Sequence, residues 1–129
     1  MKRFILNPVG LMAGLLLFLL AGNLNAQDLA SAIKLTRSEQ YDKADAMLKE
    51  LIKKEPSNSK VYFYLGENYL LEYFSDTISN SLVVATKAAK EVYQKGVEVN
   101  PSDPLNYVGL AKVASYLGDE GKAEEMRAK

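Results

Sequence analysis

Asp42 and Asp45, three residues apart, and Glu67 and Glu72, five apart, are the carboxylate pairs that could do acid–base chemistry or hold a metal ion. Two carboxyl groups facing one substrate can act as general acid and base. An oxygen-rich cluster suits calcium or magnesium. On a helix, residues three or four apart share a face, so Asp42 and Asp45 can be neighbours while Glu67 and Glu72 are not neatly aligned. The chain contains no histidine and no cysteine. The commonest general base, the commonest metal ligand and the thiolate nucleophile are therefore missing. No glycine-rich acidic loop accompanies the carboxylates, and a solvated helix face accounts for them. Gly118-Asp119 lacks the glycine cluster and lysine of a phosphate loop and reads as a turn. Lys49, Lys53 and Lys54 form a small basic edge near a helix C-terminus, where the dipole favours positive charge. Lys plus Arg equals Asp plus Glu at 16 each, which gives no global attraction to nucleic acid or an anionic membrane. Tyr62, Tyr64, Tyr69 and Tyr73 could stack bases, but at helical spacing they read as a packing stripe. No catalytic residue, cofactor or metal site is expected, and the chain reads as a binding protein rather than an enzyme.

The N-terminus has a different character. Met1-Lys2-Arg3 is basic, Val9 to Gly22 is an unbroken apolar or glycine run, and Asn23-Leu24-Asn25-Ala26 turns polar and ends on a small residue. This is the three-part plan of a secretory signal peptide, cleaved after Ala26. A spanning helix wants about 20 apolar residues, and this run is shorter. The protein is accordingly expected to be periplasmic or secreted, with no stable membrane insertion after cleavage. An uncleaved leader would make it a membrane-tethered adaptor. Removing residues 1–26 takes away Lys2 and Arg3 and leaves two more acidic than basic side chains.

From Gln27 onward the apolar periodicity is helical, with no sustained strand alternation. Breaks rich in Pro, Gly, Asn, Asp and Ser fall at 55–58, around 75–76, at 100–104 and at 118–119. Asp103-Pro104 is a helix start, with the carboxylate as cap and proline at the first helical position. Six helices are predicted, over about 28–37, 41–54, 59–74, 79–98, 104–117 and 119–128. The short connections force sequential helices to pack antiparallel.

The segments repeat. Ala44, Leu48 and Pro56 recur 45 residues later as Ala89, Tyr93 and Pro101, and Tyr62-x-x-Leu65-Gly66-x-x-Tyr69 recurs as Tyr107-x-x-Leu110-Ala111-x-x-Ala114. Gly66, Gly96, Ala89 and Ala111 are small residues inside helices. A helical glycine costs about 1 kcal/mol relative to alanine, so Gly66 needs a packing reason. The pattern resembles the tetratricopeptide repeat family, whose signature is an aromatic, Leu-Gly, Tyr, then Ala-x-x-x-Phe and Pro on a 34-residue period. Tyr62, Leu65-Gly66, Tyr69, Ala89, Tyr93 and Pro101 carry the middle repeat; Tyr41, Ala44 and Pro56 the first; Tyr107, Leu110, Gly118-Asp119 and Ala123 the third. Arg127 departs from the family's aromatic, and the middle repeat is longer than the family period, the excess lying within Leu70–Ser81.

The resemblance implies an all-α fold of helix-turn-helix repeats stacked as a short right-handed α-solenoid behind a signal peptide at 1–26. The repeats would span about 27–58, about 59–103 with an insertion near 70–81, and 104–129, the last incomplete. It also implies an exported bacterial protein that binds a protein or peptide partner in a concave groove lined by the first helix of each pair. Mapped onto this chain, the groove residues are Phe63, Glu67 and Leu70 from the middle repeat, and Val108, Lys112 and Ser115 from the third. Phe63 is the expected anchor, with Glu67 and Lys112 tuning partner choice by charge. Some family members clamp a C-terminal carboxylate with Lys, Asn and Arg. The matching places hold Leu29, Ile33, Tyr64, Leu105 and Gly109, so that clamp is not expected. The chain stops at Lys129 inside the last helix, which reads either as the N-terminal part of a longer enzyme or transport accessory protein or as a short protein. Without a polar capping helix, the apolar side of the last helix around Ala123 and Met126 is expected to be exposed, with self-association there. The leader reading makes the first prediction. Mass spectrometry of the periplasmic or secreted protein should find Gln27 at the N-terminus, and intact Met1 to Ala26 in the membrane fraction would contradict it.

Overall fold

The computed structural model describes residues 26–129, all in helices and short turns with no strand among them. The leader, apart from Ala26, lies outside the described residues. Helix α1 covers 26–37. It is followed by α2 (Tyr41–Lys54), α3 (Ser59–Ser75), α4 (Leu82–Val99), α5 (Pro104–Tyr116) and α6 (Glu120–Arg127).

The helix starts are set by short polar side chains that occupy otherwise free backbone N–H groups. Asn58 Oδ1 accepts from the Lys60 N–H, Asp103 Oδ1 from the Leu105 N–H and Asp119 Oδ1 from the Lys122 N–H. Pro104 sits in the first turn of α5, and Gly118 takes φ +77° to end the preceding turn. α4 begins at Leu82 rather than near 79. The reason is local. Asp76 Oδ1 accepts from the Ile78 and Ser79 N–H groups, and Asn80 Nδ2 donates to the Glu72 carbonyl. These bonds fold 76–81 into a self-contained turn that competes with the helix. It leaves Ile78 97% exposed.

From α2 onward each helix packs on its successor, and α3 also packs on α5. α1 joins α2 and α3 through the first apolar cluster, so α3 has α1 on one side and α5 on another. Two apolar clusters fill the space between. The first holds Ala32 of α1, Ala44, Leu48 and Leu51 of α2, and Val61 and Leu65 of α3. The second holds Phe63 and Leu70 of α3, Ala89 and Tyr93 of α4, and Val113 of α5. Tyr64 and Tyr69 pack against both.

Tyr93 is fully buried, and its ring lies against the bare backbone of both Gly66 and Gly109. A Cβ atom at either glycine would overlap the ring. The packing reason that Gly66 demands is thus an aromatic ring from α4 rather than a neighbouring helix backbone. Gly96 plays the same part for the Asn106 amide. Two asparagines, Asn68 and Asn106, are fully buried. Asn68 accepts from Thr36 Oγ1 at 2.7 Å and donates to the Tyr41 carbonyl at 3.1 Å, tying α3 to α1 and to the start of α2. Asn106 Nδ2 donates to the Ser59 carbonyl at 3.0 Å, tying α5 to the start of α3.

The exposed last helix is corrected. Ala123 is fully buried and Met126 only 8% exposed. They are the only large or medium apolar groups in Glu120–Arg127 that face α5. The remaining side chains are charged, apart from Gly121, and Arg127 pairs with Glu124 at 3.2 Å while Lys122 pairs with Glu125 at 2.8 Å. α6 presents a polar outer face, and the surface on which self-association was expected to rest is covered.

The wedge yields a prediction. Tyr93→Ala should cost about 3–5 kcal/mol in chemical denaturation, and Gly66→Leu or Gly109→Leu should destabilise severely because no neighbour can yield to the added side chain. Tyr93→Phe should cost only about 1 kcal/mol, the loss of one hydrogen bond. If Gly66→Leu melts like the parent, the wedge does not hold these helices.

Candidate partner-binding face

The outer side of α1, α3 and α5 is built on one carboxylate. Glu67 Oε1 accepts a hydrogen bond from the Tyr93 hydroxyl at 2.8 Å. Glu67 Oε2 accepts from Lys112 Nζ, also at 2.8 Å. Lys112 Nζ in turn lies 5.7 Å from the Phe63 ring centroid, within cation–π range. Three helices thus meet at Glu67: α3 carries it, α4 delivers the Tyr93 hydroxyl from inside, and α5 delivers the Lys112 ammonium from outside. Burial, reinforced by the Glu67 carboxylate, pushes the Tyr93 phenol far above its ordinary range, so it stays a neutral donor.

Of the six residues assigned to a groove, Glu67 and Lys112 meet on this face and Val108 lies one turn before Lys112, while Ser115 turns toward α6. Val108 is exposed, and Ser115 Oγ accepts from Arg127 Nη2 at 2.9 Å. Phe63 and Leu70 do not reach it. They are 8% and 3% exposed and belong to the second core cluster. Phe63 packs edge-on to Tyr64 at 5.2 Å and tilted over Tyr93 at 6.0 Å. The physical reason is a rotation about the helix axis. Positions 63 and 70 lie on the flank of Glu67 that turns toward α5, where that helix covers them. The opposite flank carries Tyr64 and Leu71, while Phe74, two turns on from Glu67, returns to the α5 side beyond Leu70. Leu71 is 42% and Phe74 47% exposed. Phe74 meets Tyr116 of α5 edge-on at 5.1 Å. Extending the stripe from Glu67 by four and seven residues would have found Leu71 and Phe74. The same shift replaces Ser115 by Tyr116 on α5.

Between α1 and α3 runs a furrow. Its wider part, about 570 Å³, is lined by Leu29, Ile33, Lys60 and Tyr64 among others. Its narrower part, about 130 Å³, continues over Ile33 and Tyr64 to Arg37, Glu67 and Leu71. The lining mixes apolar side chains with charges of both signs. Among the described residues no cluster of acidic groups could hold a metal ion, and no helix is long and apolar enough to cross a membrane. No family model and no curated protein matches the chain.

The raised Tyr93 phenol makes a pH prediction. Below pH about 10 the phenol is neutral in both folded and unfolded chains, and its contribution to stability is complete. Above that the unfolded chain releases a proton that the folded chain retains, so stability falls as pH rises, by about 1.4 kcal/mol per unit for one proton. In denaturant titrations between pH 9 and 11, Tyr93→Phe should lose about one proton's worth of this slope; an unchanged slope would show that Tyr93 ionises in the folded protein.

Proposed function

We propose that this chain is a non-catalytic interaction module of the tetratricopeptide kind, exported to the envelope of a bacterium, which holds a protein or peptide partner along the face of α1, α3 and α5. On this reading the three helix pairs are a short right-handed solenoid and that face is its concave side. The observation that carries it is the pair of adjoining hollows between α1 and α3, which share Ile33 and Tyr64, with the exposed apolar side chains of Leu71, Phe74, Val108 and Tyr116 nearby on α3 and α5. Apolar groups left in water beside fixed charges are what a partner segment can bury and orient on. The Glu67–Lys112 pair limits the charge shown to a partner, because each group is already half-answered by the other. Export rests on the leader of residues 1–26.

A photo-reactive side chain at position 71, introduced in cells, should cross-link a defined envelope protein. Leu71→Asp should weaken its binding by about tenfold or more, as expected when an interface anchor is lost. Helical content and melting should stay near those of the parent, because Leu71 is exposed. Phe63→Ala, by contrast, should cost about 3 kcal/mol or more of stability, because it opens the core. Undiminished binding by Leu71→Asp would place the recognition surface elsewhere.

A further inference from the structure

On the other side of the molecule α4 and α6 stand apart, and α5 forms the floor of the cleft between them. The cleft has a volume of about 560 Å³. Its floor is Tyr107, Leu110 and Ala114 of α5, and Lys90, Gln94 and Val97 of α4 form one wall. Met126 of α6 closes the other side.

The corresponding place one repeat earlier, between α2 and α4 over α3, is narrower, with a hollow of about 400 Å³. The 45-residue correspondence pairs Tyr107, Leu110 and Ala114 with Tyr62, Leu65 and Tyr69, and pairs Lys90 and Gln94 with Asp45 and Lys49. There the Tyr69 ring occupies the α2 side of the gap. It packs against both core clusters and lies 6.0 Å from Lys49 Nζ, and a hollow remains between it and Val84, Ala85 and Ala88 at the start of α4. In the later repeat that tyrosine is an alanine, and the ring's space is vacant. The wall has also changed sign, since Lys90 stands where Asp45 stood. Lys90 has no ion-pair partner among the described residues, whereas Lys122 at the far rim is answered by Glu125. Asp119, also at the rim, is engaged by the Lys122 N–H.

We propose that this cleft receives an aromatic side chain of a partner polypeptide that carries an acidic neighbour, the ring taking the place Tyr69 takes one repeat earlier and the carboxylate meeting Lys90. An apolar concavity of this size with a few free polar groups at its edge is the usual form of a binding pocket, and rigid aromatic anchors supply most of the binding energy in such pockets. The site is on the opposite side of α5 from the Glu67 face, so it stands whether or not that face binds anything.

The test uses the purified chain, isotope-labelled for NMR, and a short synthetic peptide with one tyrosine flanked by acidic residues. Two control peptides replace the tyrosine by alanine or the acids by lysine. The tyrosine peptide should shift the amides of Lys90, Gln94, Ala114 and Lys122 and leave those of Glu67 and Leu71 in place. Ala114→Tyr should fill the cleft from within, raise the melting temperature and weaken the peptide by about thirtyfold, the scale of a lost aromatic anchor. Lys90→Glu, an exposed change that cannot disturb folding, should weaken it by about fivefold. The proposal is overturned if the alanine peptide binds equally, if the shifts map to the Glu67 face, or if Ala114→Tyr binds as the parent does. Should Ala114→Tyr fail to fold, unchanged affinity in Lys90→Glu overturns it alone. Shifts that grow with protein concentration in the absence of peptide would assign the cleft to a second copy and overturn it as well.

Discussion

The contact on which the arrangement depends is the Tyr93 ring lying between Gly66 and Gly109. α3 and α5 sit where they do because a flat ring from α4 lies between them, and each meets it with bare glycine backbone at the closest approach. The phenol then cannot point anywhere but outward, where it meets Glu67, and Glu67 meets Lys112. A packing decision made in the core thereby fixes a charge pair on the surface. Close-packed interiors transmit small displacements rather than absorbing them, so the outer face cannot be retuned at Glu67 without disturbing the ring beneath it.

The same contact shows what the sequence could and could not reveal. A glycine inside a helix announces that something must come close, and Gly66 was readable on that ground. What comes close was not readable, because an aromatic ring and a second backbone both demand the missing Cβ. The apolar periodicity and the turn-rich breaks locate the helices, and Asp103 is legible as a cap because it acts through a local bond that needs no tertiary information. The flank on which a helix is covered is a tertiary fact. Phe63 and Leu71 lie on opposite sides of Glu67, each within reach of a groove, and only the position of α5 decides that Phe63 is buried. The buried asparagines were silent for a related reason. Asn68 and Asn106 have the composition of surface residues, and their role appears only when the Tyr41 and Ser59 carbonyls stand opposite them. Met126 is covered by the packing of α6 on α5 without a further helix on top, which the end of the repeat pattern does not reveal. The charges of Glu120, Lys122, Glu124 and Glu125 already supply a solvated outer side.

The two polar bridges through Asn68 and Asn106 divide the labour with the apolar clusters. Apolar burial is non-directional and would tolerate sliding of one helix along another. A buried amide whose partner is one particular carbonyl does not tolerate it, because a slipped register leaves a desolvated donor unanswered. Thr36, Asn68 and Tyr41 fix the axial position of α1, α2 and α3, and Asn106 with Ser59 fixes that of α5 against α3. The furrow between α1 and α3 keeps its outline for this reason.

The turn over 76–81 has a consequence for how such a chain can change length. Its bonds run from Asp76 and Asn80 to their own neighbours and to the end of α3, and Ile78 touches almost nothing. Lengthening a connection of this kind adds only a slowly growing closure entropy. Segments can therefore be gained or lost around Thr77 while the ring, the amides and both faces stay in register, so at this hairpin a change of chain length is decoupled from the repeat frame.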